Sequence, residues 1–411
     1  MPAGFEPGDA CMAGPLDGYR IVDLTQVVSG PLATMLLADQ GADVIKVEPA
    51  AGGDLTRIAG IPLGGITPFF LNNNRGKRSF AVDLQTADGV DLVLRLCDGA
   101  DVFVQNFRPG VVERLGLGAD AVMARNPDLV YVSISGYGAS GPYAQRRVYD
   151  PIIQGITGHV AVQCNPKIPF RDVHRSIVAD KSTAYTVAQA ITAALLARER
   201  GRARGQLVEI AMVDAALAFF WPDGMMSDTL LDDPPDVRAR RITLANAMNV
   251  TTCGTGQLIY FVASDSERHG LFRALGRPDL IADPRFGTLA GIQEAGNYAA
   301  LGEILLAEFE KWDAEALLER MVAEDVPCGP VNDLESLVTD PQLVHNGAVW
   351  EWEHETAGRI RHARPAPRLS ATPIDAQPMA ALLGQHTDEV LAELGLGPDA
   401  IVALRQRGVV A

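Results

Sequence analysis

After a short leader the chain forms a strand–helix–strand unit, and this unit narrows the possible folds more than any other feature. Arg20 to Leu24 (RIVDL) and Asp43 to Val47 (DVIKV) read as short apolar strands. Between them Pro31 to Gln40 has helix punctuation, with Pro at its first position and Gly41 just past its end. Strands joined through a helix run parallel, since antiparallel neighbours need only a hairpin. The alternation continues. Phe80–Leu84, Asp101–Gln105, Leu129–Ile134 and Leu207–Ile210 read as strands, while Gly89–Asp98 and Lys181–Arg198 read as helices. The fold class is therefore α/β with a parallel sheet. The first unit has no G-x-G-x-x-G, which disfavours NAD.

Length and charge bound the rest. A chain of 411 residues predicts two or three domains. Residues 1–14 read as a flexible leader, 15–220 as the first part of a large domain and 221–241 as an acidic, Pro-containing, irregular linker. Residues 242–331 read as a smaller domain: a strand Gln257–Ala263, then helices near Arg268–Leu275, Tyr298–Phe309 and Ala314–Ala323, closed by a Pro/Gly turn over Val326–Val331. Beyond it come a helix around Leu334–Leu337, a strand Gly358–His362 and a terminal helical pair. The net charge of −16 argues against nucleic acid as a partner, while leaving room for a basic pocket for a phosphorylated ligand. No apolar run reaches membrane-span length and the start lacks a signal-peptide pattern, so the expectation is no membrane and a cytoplasmic location. Cys11, Cys97, Cys164, Cys253 and Cys328 are scattered, with no C-x-x-C. That argues against a disulfide framework and a zinc site, and without H-E-x-x-H no metal is expected.

Several stretches carry possible chemistry. Ile177-Val178-Ala179 reads as an apolar strand ending at Asp180, with a small-residue helix following. Asp180 is then either an N-cap or a carboxylate nucleophile kept ionised by the helix start. Asn72-Asn73-Asn74-Arg75-Gly76-Lys77-Arg78 reads as an anion site or a solvated turn. Asn106-Phe107-Arg108-Pro109-Gly110, leading to Arg114, stands at the carboxyl end of a strand, where open α/β sheets bind ligands. Ser135 to Pro142 is glycine-rich, and Tyr149-Asp150-Pro151 opens a short helix. Arg171, His174 and Arg175, like Arg238, Arg240 and Arg241, are either holders of a second carboxylate or surface charges.

Together, LDGYRIVDLTQVVSGPLATMLLADQGADVIKVEP, NRGKRSFAVDL, NFRPGVVERLG, SGYGASGP, VADKSTAYTVAQAITAALLARERGRARGQLVEIAMVDAAL, VPCGPV and LLGQHTDEVLAELG resemble, in this order, the family III CoA-transferases. That family's relatives include α-methylacyl-CoA racemases. The resemblance implies a Rossmann-like large domain with a parallel sheet, completed by residues 332–411 after a smaller α+β domain. It further implies an interlocked homodimer. Asp180 matches the family's nucleophile, and the match for CoA falls on Val28, Ser29, Val82, Asp83, Leu84, Asn106, Phe107, Arg108, Arg114, Ser135 and Tyr137. The implied reaction moves CoA between an acyl-CoA thioester and a small carboxylic acid through aspartyl-CoA, with CoA as substrate and no permanently bound cofactor. Alternatives are an α-methylacyl-CoA racemase, disfavoured by Tyr149 where the racemases carry His, and a non-catalytic acyl-CoA-binding protein.

Overall fold

The computed structural model describes residues 14–163, 171–232, 234, 249–294, 296–374 and 377–411. Residues 1–13 of the expected leader, 233 and 235–241 of the expected linker with Arg238, Arg240 and Arg241, residues 242–248, and Cys11 and Cys164 lie outside them.

The described chain divides into two compact units, one running to Pro222 and resuming over Gly347–Ala411, the other Asp223–Asn346. In chain order the first unit contains β1 (Arg20–Asp23), α1 (Ser29–Ala38), β2 (Asp43–Pro49), α2 (Pro68–Asn74), β3 (Lys77–Val82) and α3 (Ala87–Asp98). Then come β4 (Val102–Gln105), α4 (Val111–Arg114), α5 (Ala119–Arg125), β5 (Val130–Ser135), α6 (Asp150–Ile156), α7 (His159–Val162), α8 (Val178–Glu199), β6 (Leu207–Ala211) and α9 (Met212–Gly224). The six strands form one parallel sheet in the order β3-β2-β1-β4-β5-β6. The order reverses between β1 and β4, so a crevice is expected at their carboxyl ends.

Successive strand residues face opposite sides, and both sides are apolar because helices cover both. Ile21, Val44, Val102 and Val132 pack with α1 and α8 through Ala33, Leu37, Ala184, Val187 and Ile191. Val22, Ile45, Phe80 and Phe103 pack with α3 and with the C-terminal residues Val390, Leu391, Ile401 and Leu404. Each fully buried aliphatic side chain contributes about 1.5–3 kcal/mol. Small residues along α8 let it lie close to α1, and that contact brings two helix N-termini together. The C-terminal segment also closes the β3 edge, where the Asp83 amide donates to Val409 O (2.8 Å) and the Ala411 amide to Ala81 O (3.2 Å).

The second unit has a three-stranded antiparallel sheet, β7 (Asn249–Thr252), β8 (Gln257–Tyr260) and β9 (Cys328–Pro330). It packs with helices Asp265–Ala274, Asn297–Phe309 and Ala314–Ala323 around Leu258, Phe272, Phe309 and Leu317. A hairpin in the first unit, β10 (Val349–His354) with β11 (Gly358–Ala363), completes the strands.

Five local expectations are corrected. Trp221–Gly224 ends α9 instead of beginning an irregular stretch. Cys328–Pro330 is a strand within the expected turn, held by pairing with β8. The helix expected around Leu334–Leu337 is a 3-10 turn over Ser336–Thr339. Asn72–Asn74 close helix α2, where Thr67 caps the first turn and Asn73 and Asn74 bond back to Phe69 O and Phe70 O. Ile177–Ala179 is not a strand: α8 starts at Val178, and the apolar run is its buried first turn.

Candidate active site

The cations after α2 do not form an anion site, because each already has a carboxylate. Arg75 pairs with Asp39 (2.6 Å), Lys77 with Asp23 (3.0 Å), and Arg78 with Asp43 and Glu393 (both 2.6 Å). Asp23, fully buried at the end of β1, also accepts from the Thr25 hydroxyl (2.5 Å) and the Thr34 hydroxyl (2.7 Å). Burial alone would raise its carboxyl, but the Lys77 and Lys46 ammoniums with these hydroxyls hold it below the usual carboxylate range. Lys46 in turn reaches Asp54 (3.0 Å) and Thr25 O (2.9 Å). This network fixes the turn between β1 and α1.

That turn is strained. Val27 has φ +73°, a left-handed conformation that costs a β-branched residue about 1–3 kcal/mol. Ile177, immediately before α8, has φ +45°. The two strained residues set the entries of α1 and α8. At the α1 entry the Gln26 amide donates to Asn106 Oδ1 (2.9 Å) and Asn106 Nδ2 to Gln26 O (2.7 Å). This two-way clamp joins the carboxyl ends of β1 and β4 across the sheet's reversal point.

A cavity of about 200 Å³ opens there, and Asp180 lies in its wall with Ser29, Val27, Asn106, Phe107 and Arg108. Sites enclosing a drug-sized ligand run to roughly 300–1,000 Å³, so this one suits the reacting end of a larger molecule. Asp180 is the third residue of α8 and not its N-cap. The capping group comes from elsewhere: the Asp180 amide donates to Asp150 Oδ2 (2.9 Å). Asp150 is 3% exposed, and its other oxygen accepts from Gln154 Nε2. Gln154 also holds the His174 backbone at both amide and carbonyl (2.7 and 2.9 Å).

The electrostatics of Asp180 overturn the expectation from the helix start. Burial first, and then the Asp150 carboxylate beside it, push its pKa up to about 7. The Ser29 amide and hydroxyl pull the other way. A helix N-terminus favours an anion by about 0.3–1 kcal/mol at exposed sites, while each pKa unit is about 1.4 kcal/mol. Desolvation and like charge therefore win.

Of the residues matched to CoA, Ser29, Asn106, Phe107, Arg108 and Ser135 line the cavity. Val28 is buried behind Ser29, and Val82 is core beneath the closed β3 edge. Asp83, Leu84, Arg114 and Tyr137 do not line the cavity. Gly138 spends its amide on Ser135 Oγ (3.0 Å), whereas Gly136 lines the wall and admits Val148, whose Cγ1 would stand 2.3 Å from a Cβ there. Arg171, His174 and Arg175 are exposed and do not line it, and Arg175 pairs with Asp172 (2.9 Å). Sequence reasoning missed Val27, Arg146 and Arg147 in the wall, and Asp150 as the partner of Asp180. Asp150 lies 30 residues before Asp180, and the sequence marked it only as a helix start and as the neighbour of Tyr149 at the racemases' His-Asp position, not as a partner of Asp180. Among the described residues no group of three or more His, Cys, Asp or Glu is arranged to hold a metal. No helix among them is long and apolar enough to cross a membrane.

Residues 16–387 match the family described as CoA-transferase family III. The chain is 34% identical over 394 residues to the succinate–glutarate CoA-transferase of Agrobacterium fabrum, covering 92% of this chain and 96% of the relative. It is 32% identical over 417 residues to the formyl-CoA:oxalate CoA-transferase of Streptomyces avermitilis (97% and 100% covered). The crystal structure of a CAIB/BAIF family protein from Brucella suis superposes with a TM-score of 0.80 at 31% identity, over 93% of this chain and 100% of that one.

Proposed function

Because the chain belongs to CoA-transferase family III and is an enzyme of CoA transfer, we propose that it moves CoA between an acyl-CoA and a small carboxylic acid through an aspartyl-CoA thioester on Asp180. The observation that carries this reading is the Asp180 carboxylate in the cavity wall at the sheet's reversal point, touched by the Ser29 amide and hydroxyl.

In this reading an Asp180 oxygen attacks the thioester carbonyl. The tetrahedral oxyanion collapses with loss of CoA thiolate, leaving a mixed anhydride. The thiolate then attacks the aspartyl carbonyl, the donor acid departs as carboxylate, and aspartyl-CoA remains. The acceptor carboxylate runs both steps in reverse, so one thioester replaces another and no ATP is consumed. Each oxyanion needs fixed donors, and the amides at the start of α1, Ser29 foremost, supply them. A carboxylate that titrates near 7 is more nucleophilic than an ordinary one, at the cost of being partly protonated at neutral pH. Arg108 meets a phosphate of CoA with its planar fork, with Phe107 beside it; Arg114 and Tyr137, outside the cavity, meet parts of CoA that extend beyond it.

The relatives' names include dicarboxylic acids, succinate and glutarate in one and oxalate in the other, and we extend that class to a substrate of this chain. The finer parts of the proposal are an interlocked homodimer, a cytoplasmic location, and a large domain completed by the C-terminal segment. The racemase reading has less support, since the named relatives are transferases and the position of its His is held by Tyr149, 61% exposed.

The test is intact-protein mass spectrometry after brief mixing with succinyl-CoA. A CoA-sized adduct on the wild type and none on Asp180→Ala is the expected result. No adduct with any acyl-CoA, despite measurable CoA binding, sinks the proposal.

A further inference from the structure

Three guanidiniums line the Asp180 cavity: Arg108, Arg146 and Arg147. In a chain of net charge −16 most arginines are ion-paired, as Arg57 is to Glu48 (2.7 Å) and Arg204 to Asp128 (2.7 Å). Among the described residues these three have no carboxylate partner. Arg146 is stacked 3.7 Å over the Tyr143 ring, which is edge-on to Tyr137 at 5.5 Å. Arg108 stands on the β4 side, beside the Asn106–Gln26 clamp. Arg147 has neither acid nor ring against it.

Arg147 is exposed at the cavity wall, and the chain just after it is anchored. Val148 packs on Gly136, and Asp150 bonds the Asp180 amide at 2.9 Å. Arg147 is three positions before Asp150, at most about 11 Å of chain. Arg147 is thus tethered to the immediate neighbour of the proposed nucleophile. The phosphates of CoA are held away from the thioester by the pantetheine arm, so a cation here serves the acyl side.

Charge makes the same point. Asp180 stands in the cavity wall and the buried Asp150 bonds its amide from outside that wall, so the acids near the reacting centre offer an anionic substrate no counter-charge. A monocarboxylate loses its charge when it becomes an acyl group, but a dicarboxylate keeps one charge through every intermediate and needs a fixed counter-charge. We propose that Arg147 is a specificity-determining residue that pairs with the far carboxylate of a dicarboxylic acid or of its mono-CoA thioester. The guanidinium fork suits a carboxylate bidentately. This inference rests on the CoA-transfer reading and extends it to the class of acid.

The experiment compares succinyl-CoA with butyryl-CoA, an acyl chain of the same length without the far charge, on wild type, Arg147→Met and Arg147→Lys. The expected result is that the ratio of kcat/KM, succinyl over butyryl, falls by about 30-fold or more in Arg147→Met, as for loss of a close charge pair. Arg147→Lys recovers part of the ratio, and affinity for CoA itself, read by calorimetry, is retained. An unchanged ratio, or lost CoA affinity with an unchanged ratio, overturns the assignment. A second arm needs no turnover: succinate and butyrate binding to CoA-saturated Asp180→Asn protein, with and without Arg147→Met. Selective loss of succinate supports the assignment, and equal binding overturns it. Failure of the transfer reading shows separately, as no covalent CoA on the wild type.

Discussion

Asp23 and Asp180 are two carboxylates of the same structural unit, one fully buried at the end of β1 and one in the wall of the cavity, and they titrate in opposite directions. Asp23 meets two ammoniums and two hydroxyls, and burial is overcome. Asp180 meets another carboxylate and one serine, and burial prevails, to about 7. Burial decides that a charge will be expensive; the partners decide which protonation state bears the cost. The first acid holds the β1–α1 turn, and the second stands uncompensated where that turn presents Ser29. A surplus of partners makes a strut, while a deficit leaves an acid whose charge is unbalanced.

The sharpest way to break this comparison is to remove each acid's defining feature. Asp180→Ala is expected to lower kcat/KM by about a thousandfold or more, as for loss of a covalent nucleophile, while CoA affinity persists. Steady-state kinetics beside calorimetry check this, and residual transfer within tenfold of wild type refutes it. Lys77→Met should leave kcat largely intact in whatever protein folds, but cost about 3–5 kcal/mol of stability by stranding Asp23. Urea unfolding measures that cost, and a loss below 1 kcal/mol means the network is not a strut.

Smaller effects sharpen the contrast. The raised pKa of Asp180 means its contribution to stability is full below about pH 4, its unfolded value, and is lost as pH rises through about 7. Asp180→Asn should therefore be more stable than wild type at pH 8, by about 1–2 kcal/mol after allowance for partial exposure, and no more stable at pH 4. Asp23 has the opposite sign: its lowered pKa contributes stability that is present above about pH 4 and is lost as pH falls further. Thermal melts of both proteins across pH follow the two trends. Asp150→Asn keeps an acceptor for the Asp180 amide but removes the like charge. The acid limb of the kcat/KM profile should then move down from near 7 by on the order of one unit, with little change in melting temperature. A limb that stays put shows that burial alone sets it.

Much of the fold was readable because it rests on local signals. The β1–α1–β2 unit, the strand ends near Gln105 and Ile134, and the helix Ala314–Ala323 all follow from periodicity and punctuation. The misreadings share one cause. Ile177–Ala179 is apolar enough for a strand and Asn72–Asn74 polar enough for a turn, yet helix packing and Thr67 capping decided otherwise. Cys328–Pro330 became a strand only because β8 lay beside it.

The sequence by itself determined the parallel α/β architecture and the family, and it singled out Asp180 as an acid of interest. Hydrophobic period and motif order are properties of the chain, and they survive without coordinates. Only the tertiary structure decided the state of that acid. Asp150 and Ser29 lie 30 and 151 positions from Asp180 along the chain, and Coulomb energy and desolvation depend on distance through space. The same holds for Arg146 and Arg147, which stay exposed but which folding places at the wall of the cavity without a carboxylate to meet.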